Sequence, residues 1–207
     1  MTVTLVEGVA TAAGVPLAEG AVLHAGDTVE TQAGGRIEIA VWGGALIRLG
    51  ERSRLTLQAA TPRREFSARL IIGNLWARVH ELLAGETFGV ETGNGVAGVR
   101  GTEFRVEVAQ GEPDLVRVYE GEVHVAAADG RWSHAVEPGN ELRFRREAEP
   151  PRPFDPAAES AHPFMEWVRA RRTGDGLEPG RVRQGGLRNP EQEHRIREQR
   201  RERRRQR

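Results

Sequence analysis

Gly98-Val99-Arg100-Gly101-Thr102-Glu103-Phe104 places a glycine-framed turn directly before a strand. From its end, Phe104, Val106 and Val108 alternate with Glu103, Arg105 and Glu107. A period of two means one buried face and one polar face, so the stretch reads as a junction inside a β structure. Outward from it the same signal recurs. Ile37, Ile39 and Val41 alternate with Arg36, Glu38 and Ala40, and Leu55 and Leu57 alternate with Arg54, Thr56 and Gln58. Further apolar runs occur at Ala68-Leu70-Ile72, Leu75-Ala77-Val79, Phe88-Val90, Val116-Val118 and Val123-Val125. Gly26-Asp27, Gly34-Gly35, Gly93-Asn94-Gly95, Asp129-Gly130 and Pro138-Gly139 separate such runs, as turns that need positive φ or close chain approach would. The pattern predicts an all-β fold of about ten or more short strands, arranged as a sandwich, a jelly roll or a short β-solenoid.

Composition narrows the class. Cysteine is absent, so disulfides and thiolate metal sites are excluded. All 30 basic residues are arginine, balanced by 30 acidic ones. The balance hides an asymmetry, for the arginines outside residues 1–150 crowd into a short basic C-terminal part. No run approaches the ~18 apolar residues of a membrane span, and the N-terminus lacks the basic and apolar regions of an export leader.

At Glu149-Pro150-Pro151-Arg152-Pro153 the character changes, because closely spaced prolines cannot continue a central strand. The β domain is therefore expected over 1–148, and a proline- and glycine-rich linker over 149–188. Within that linker a short docking helix is predicted near 163–172, with Phe164, Trp167 and Val168 on one face. Residues 189–207 form an arginine- and glutamate-rich tail in which Ile196 is the only large apolar residue, so a disordered or fraying helical segment is expected.

The search for reactive groups is mostly negative. The six histidines show no ligand spacing, and no nucleophile elbow, Walker loop or dinucleotide fingerprint occurs. The alternation sends Glu103, Glu107, Glu120 and Glu122 to exposed faces, so no enzyme and no cofactor is expected. In the opening motif, Gly98, Arg100, Gly101, Thr102, Glu103 and Phe104 read as fold-specifying. Thr102 is expected to bond a backbone group of the turn, and Arg100 and Glu103 to form or border an ion pair. Candidate partner contacts are Trp42, on an outer face, Trp167, on a helix that could cover that face, and Arg203, Arg204 and Arg205 of the tail. That tail is basic enough to meet nucleic acid or an acidic partner, but without interleaved aromatics nucleic acid is not favoured.

Six ordered segments around the opening motif, together with that motif, carry a family resemblance. They are Leu23 to Thr31, Gly35 to Ile39, Leu46 to Leu55, Gly73 to Val79, the opening motif, and Tyr119 to Val125 followed by Pro138 to Leu142. Over roughly residues 5–145 the chain resembles the FecR domain, an all-β module of bacterial envelope proteins. The resemblance implies a non-catalytic interaction or sensing module that binds a protein partner or cell-wall glycan. In the regulators of iron-uptake sigma factors this domain lies on the periplasmic side and relays a partner's state. The sigma-binding helical segment and membrane span of those regulators have no counterpart here, so direct sigma-factor control is not expected. A periplasmic or envelope location is expected if a leader has been removed or lies upstream. Otherwise the reading is a cytosolic β scaffold with a binding tail. Oligomeric state is not legible from these residues.

Overall fold

The computed structural model describes residues 1–41, 44–60, 65–80, 82 and 85–172, with backbone alone at 60, 100 and 172. Met1–Val168 form one compact unit. Within this unit the strands in chain order are β1 (Thr2–Glu7), β2 (Ala10–Ala12), β3 (Val15–Pro16), β4 (Thr28–Thr31), β5 (Arg36–Ala40), β6 (Leu46–Leu49) and β7 (Arg54–Ala60). There follow β8 (Glu65–Arg78), β9 (Thr87–Glu91), β10 (Gly95–Val108), β11 (Asp114–Ala127), β12 (Ser133–Val136), β13 (Asn140–Phe144) and β14 (Arg152–Pro153). Two short helices close the described chain, α1 (Pro156–Ser160) and α2 (Pro163–Arg172). The protein is all-β with a helical C-terminal addition.

The sequence reading treated every strand as short, whereas β8, β10 and β11 each run 14 residues. Each long strand changes its neighbours partway along. The first half of β8 pairs with β7 and, in parallel, with β9, while Asn74 to Arg78 pair with β10 and Leu49 to Leu46 of β6 pair with Leu75 to Arg78. In β10, Val96 to Val99 pair with β9, and Glu103 to Val108 pair with β8. In β11, Asp114 to Arg117 pair with β13, and Val123 to Ala126 pair with β12.

These switches divide one continuous hydrogen-bonded system into two sheets. The first runs β3-β2-β4-β7-β8-β9-β10-β11-β12, and the second β1-β5-β6-β8-β10-β11-β13-β14. The long strands belong to both, one half in each.

A glycine with positive φ stands at every switch: Gly73 (+102°), Gly101 (+63°) and Gly121 (+75°). Such a backbone is strained for any residue with a Cβ. At Gly101 and Gly121 the β10–β11 register also slips, so that Arg100 opposes Glu122 but Glu103 opposes Glu120. The irregularity inverts the side-chain parity, as a bulge must. Ala97 and Val99 are buried before Gly101, Phe104 and Val106 after it; Val116 and Val118 are buried before Gly121, Val123 and Val125 after it. In β8 the parity passes from Phe66, Ala68 and Leu70 to Leu75 and Ala77. Both halves of each strand thereby aim their apolar side chains at one core.

That core is continuous through the two sheets. Phe66 stacks on Phe88 with ring centroids 4.5 Å apart, and Phe88 meets Phe104 edge-on at 6.4 Å. Val29, Ile37, Ile39, Leu55, Val90, Val118 and Leu142 are fully enclosed around them. Each such side chain stabilises the fold by about 1.5–3 kcal/mol relative to exposure. A second apolar cluster lies on the outer face of the second sheet, where Leu46 and Trp76 meet Phe164, Met165, Trp167 and Val168 of α2. The C-terminal segment is a third layer on that face.

Candidate functional site

The outward positions of the second sheet hold Arg48 on β6, Trp76 and Arg78 on β8, Glu103 and Arg105 on β10, Arg117 and Tyr119 on β11, and Glu141 on β13. Alternation alone assigns such positions to solvent. The covering segment reverses that assignment for the central ones, and Arg48, Trp76, Glu103 and Arg105 are all at most 2% exposed. The sequence expectation for Glu103 is thus corrected: it is enclosed because residues after Pro153 fold back over its face.

The segment starts where Asp155 caps α1, accepting a hydrogen bond from Ala157 N at 2.8 Å, with Pro156 in the first turn. This places Glu159, 1% exposed, against the sheet. Arg105 Nη1 donates to both carboxylate oxygens of Glu159, at 2.9 and 3.0 Å. Arg117 and the Tyr119 hydroxyl also donate to Glu159, and Arg105 bonds Glu107 as well. Glu141 takes a further arm of Arg117 at 2.8 Å and bonds Arg143 at 3.1 Å. Buried Arg105 and half-buried Arg117 are therefore balanced by Glu107, Glu141 and Glu159, as charges removed from water require.

Burial, aided by the Glu159 charge, drives the Tyr119 phenol far above its ordinary range. Burial works against the charged forms of Arg117 and Glu141. Even so, their mutual bond holds the Arg117 guanidinium above, and the Glu141 carboxyl below, the ordinary range, with Glu159 and Arg143 adding to the respective effects. His162, at the entry to α2, accepts from Phe164 N through Nδ1 at 3.3 Å, and its pKa is lowered by burial and then by the Arg105 charge.

A second anchor lies beside the first. Arg48 donates to Glu38 at 2.6 and 2.7 Å and, through Nη1, to the carbonyl oxygen of Val168 at 2.8 Å. Its guanidinium lies 5.1 Å from the Trp76 ring centroid and 5.8 Å from that of Trp167. Trp76 Nε1 and Arg78 each donate to Glu103 at 3.2 Å. Trp167, a candidate partner contact in the sequence reading, stacks on Phe164, donates to Glu7 at 2.8 Å and is 7% exposed. The chemistry of the cluster is ion pairing and positioning, with each of these charged groups engaged by a partner of the same chain.

The opening motif serves the bend next to this cluster. Thr102 is 2% exposed, and its Oγ1 has no hydrogen-bond partner among the described residues, contrary to the turn bond expected of it. It is the Thr102 carbonyl that bonds, accepting from Val79 N at 2.8 Å, while Cγ2 lies toward Gly121. Glu103 forms an ion pair with Arg78 across the strands. Gly98 faces Gly89 and His124 in ordinary strand pairing, and Phe104 enters the core. Trp42, the Arg100 side chain, Arg203, Arg204 and Arg205 lie outside the described residues.

Glu159, Arg105, Arg48 and Tyr119 were not singled out from the sequence. A usable signal did exist: Trp76 and Tyr119 are large aromatics at polar-phase positions, which implies a covered outer face. Nothing in Ala157-Ala158-Glu159-Ser160 distinguishes Glu159 from a solvated helix residue. Among the described residues no group of three or more histidines and carboxylates is arranged to hold a metal ion, and no helix is long and apolar enough to cross a membrane.

Two crystal structures of a "putative anti-sigma factor" from Parabacteroides distasonis ATCC 8503 are similar in fold. The one at 1.65 Å resolution gives a TM-score of 0.57 at 16% identity, over 68% of this chain and 64% of that one. The other, at 2.50 Å, gives 0.56 at 17% identity, over 71% and 64%. The chain thus spans less than two thirds of the length of either structure. No curated protein matches the sequence. Residues 27–124, from the turn before β4 to the second half of β11, match the model of the family described as FecR protein, and this part of the chain is a FecR domain.

Proposed function

We propose that this chain is a non-catalytic interaction module of the bacterial cell envelope, which binds a protein partner and relays that partner's state. The carrying observation is the FecR match over residues 27–124. The fold likeness to structures described as a putative anti-sigma factor supports the same regulatory class. The buried charged groups favour it too, since Arg48, Arg105, Arg117, Glu103 and Glu159 are all tied into internal pairs that hold a surface in shape. Cell-wall glycan is the alternative ligand of the same reading.

The test is cross-linking in intact cells of the source organism expressing the tagged chain, followed by fractionation and recovery of adducts. A discrete protein adduct in the envelope fraction is expected. Recovery of the chain from the cytosol alone, without an adduct, overturns the proposal; release from the envelope by glycan hydrolases without an adduct replaces protein with glycan as the ligand.

A further inference from the structure

The outer face of the second sheet contains a ready-made seat for one carboxylate. Arg105, 1% exposed, offers two hydrogen bonds from a single Nη1, and Arg117 and the Tyr119 hydroxyl close the seat from the adjoining strand. Next to it Arg48, 0% exposed, binds a helix carbonyl and spans the Trp76 ring. The present occupant is the chain's own segment 154–168.

Two observations mark this occupant as separable. Among the described residues, no backbone–backbone hydrogen bond of residues 155–168 goes to a strand; the attachment runs through side chains and the Arg48 bond to the Val168 carbonyl, with Phe154 N bonded to the Gly139 carbonyl where the segment begins. The surface beneath is also mixed rather than purely apolar: Arg48, Arg105 and Arg117 stand beside Leu46, Trp76 and Tyr119, so part of the uncovered face would hydrate.

We propose that this face is the docking site for a short helix of a partner protein, bearing a carboxylate for the Arg105–Arg117–Tyr119 seat and an aromatic residue to lie over Arg48 and Trp76. Residues 154–168 fill it in cis as a displaceable cover that a partner must replace. This rests on the reading that the domain acts by binding protein, and it names the surface and the partner's chemistry.

The cysteine-free sequence permits a direct test on the full chain, because one introduced thiol reports local opening. Met165→Cys lies on the buried face of α2, and Ala68→Cys lies in the core; the native residues are 2% and 0% exposed. Maleimide should label the first at least about tenfold faster than the second, since the cover opens without global unfolding. A synthetic peptide of residues 154–168 at about millimolar concentration, comparable to that of a tethered segment, should accelerate labelling of the Met165→Cys chain. The same peptide carrying Glu159→Gln should not. Introducing Glu159→Gln into the Met165→Cys chain should raise its labelling roughly a hundredfold.

Equal labelling of the two sites overturns the displaceable cover, and equal action of the two peptides overturns the carboxylate seat. Should Glu159→Gln prevent folding, the peptide comparison on the otherwise unsubstituted chain decides. Because the probe is the chain's own sequence, failure here leaves the cross-linking result, and with it the general protein-binding reading, separately testable.

Discussion

Gly101 and Gly121 stand back to back at the bend shared by β10 and β11: a Cβ on Gly121 would collide with the Gly101 carbonyl oxygen and stand 2.8 Å from Thr102 Cγ2. Both have positive φ. Close approach and left-handed backbone coincide, so neither glycine can be exchanged through side-chain movement alone. Gly121→Ala should cost about 2–4 kcal/mol, from backbone strain plus overpacking. Gly98→Ala, three residues before Gly101, has its nearest backbone atom at 3.9 Å and an ordinary φ, and should change stability by less than about 1 kcal/mol. Urea denaturation of the two variants checks the contrast; equal losses would refute the assignment of the bend to Gly121.

Glu159→Gln should destabilise the protein by about 3 kcal/mol, because it leaves Arg105 and part of Arg117 buried with reduced compensation. Glu107 and Glu141 remain as partners, which places the loss at the lower end of the range for broken buried pairs. The double variant Arg105→Met with Glu159→Leu should lose less than the sum of the single changes, since it removes both charges together. A double-mutant cycle from denaturation curves measures this coupling, and strict additivity would contradict it.

Arg48→Lys should cost about 2–4 kcal/mol despite keeping the charge. An ammonium cannot hold the two-point contact with Glu38, reach the Val168 carbonyl and lie across the Trp76 ring at once. Loss of tryptophan fluorescence transitions at lower urea concentration is the expected readout, and wild-type stability in this variant would show that point charge alone suffices.

Acid should loosen the C-terminal layer through His162. Its folded pKa lies below the ordinary 6.5, burial being the main cause, with Arg105 and Arg117 opposing protonation and Glu107 and Glu159 partly offsetting them. The unfolded chain therefore takes up the proton first. This contribution to stability is complete above about pH 6.5 and declines as pH falls from there through the folded pKa. Protonation also removes the Nδ1 acceptor that Phe164 N uses. His162→Asn retains an acceptor without titrating, and its stability profile should lack this decline below about pH 6.5. An unchanged profile would assign the decline to other groups.

Much of the fold is legible in particular residues. The alternation around Ile37, Leu55 and Phe104 identifies strands and their inner faces, and Phe164, Trp167 and Val168 at helical spacing identify the apolar side of α2. The union of two apparent strands into one is less visible, but Ala97 and Val99 giving way to Phe104 and Val106 across Gly101 contain it as a change of parity. The site is much less legible. Glu103 and Arg105 occupy polar-phase positions, and period two distinguishes two faces without telling whether the outer one is wet.

The sequence by itself determined the all-β class, the FecR resemblance and the position of the bend, because these depend on local backbone preference and on which side chains avoid water. Only the tertiary structure decided that Arg105, Arg117 and Tyr119 converge on Glu159, and that Arg48 meets the end of the covering segment at Val168. Hydrogen bonds of this kind join residues 40 to 120 positions apart, as Tyr119 with Glu159 and Arg48 with Val168 show. They depend on how a segment folds back over a sheet, and no local periodicity records that path.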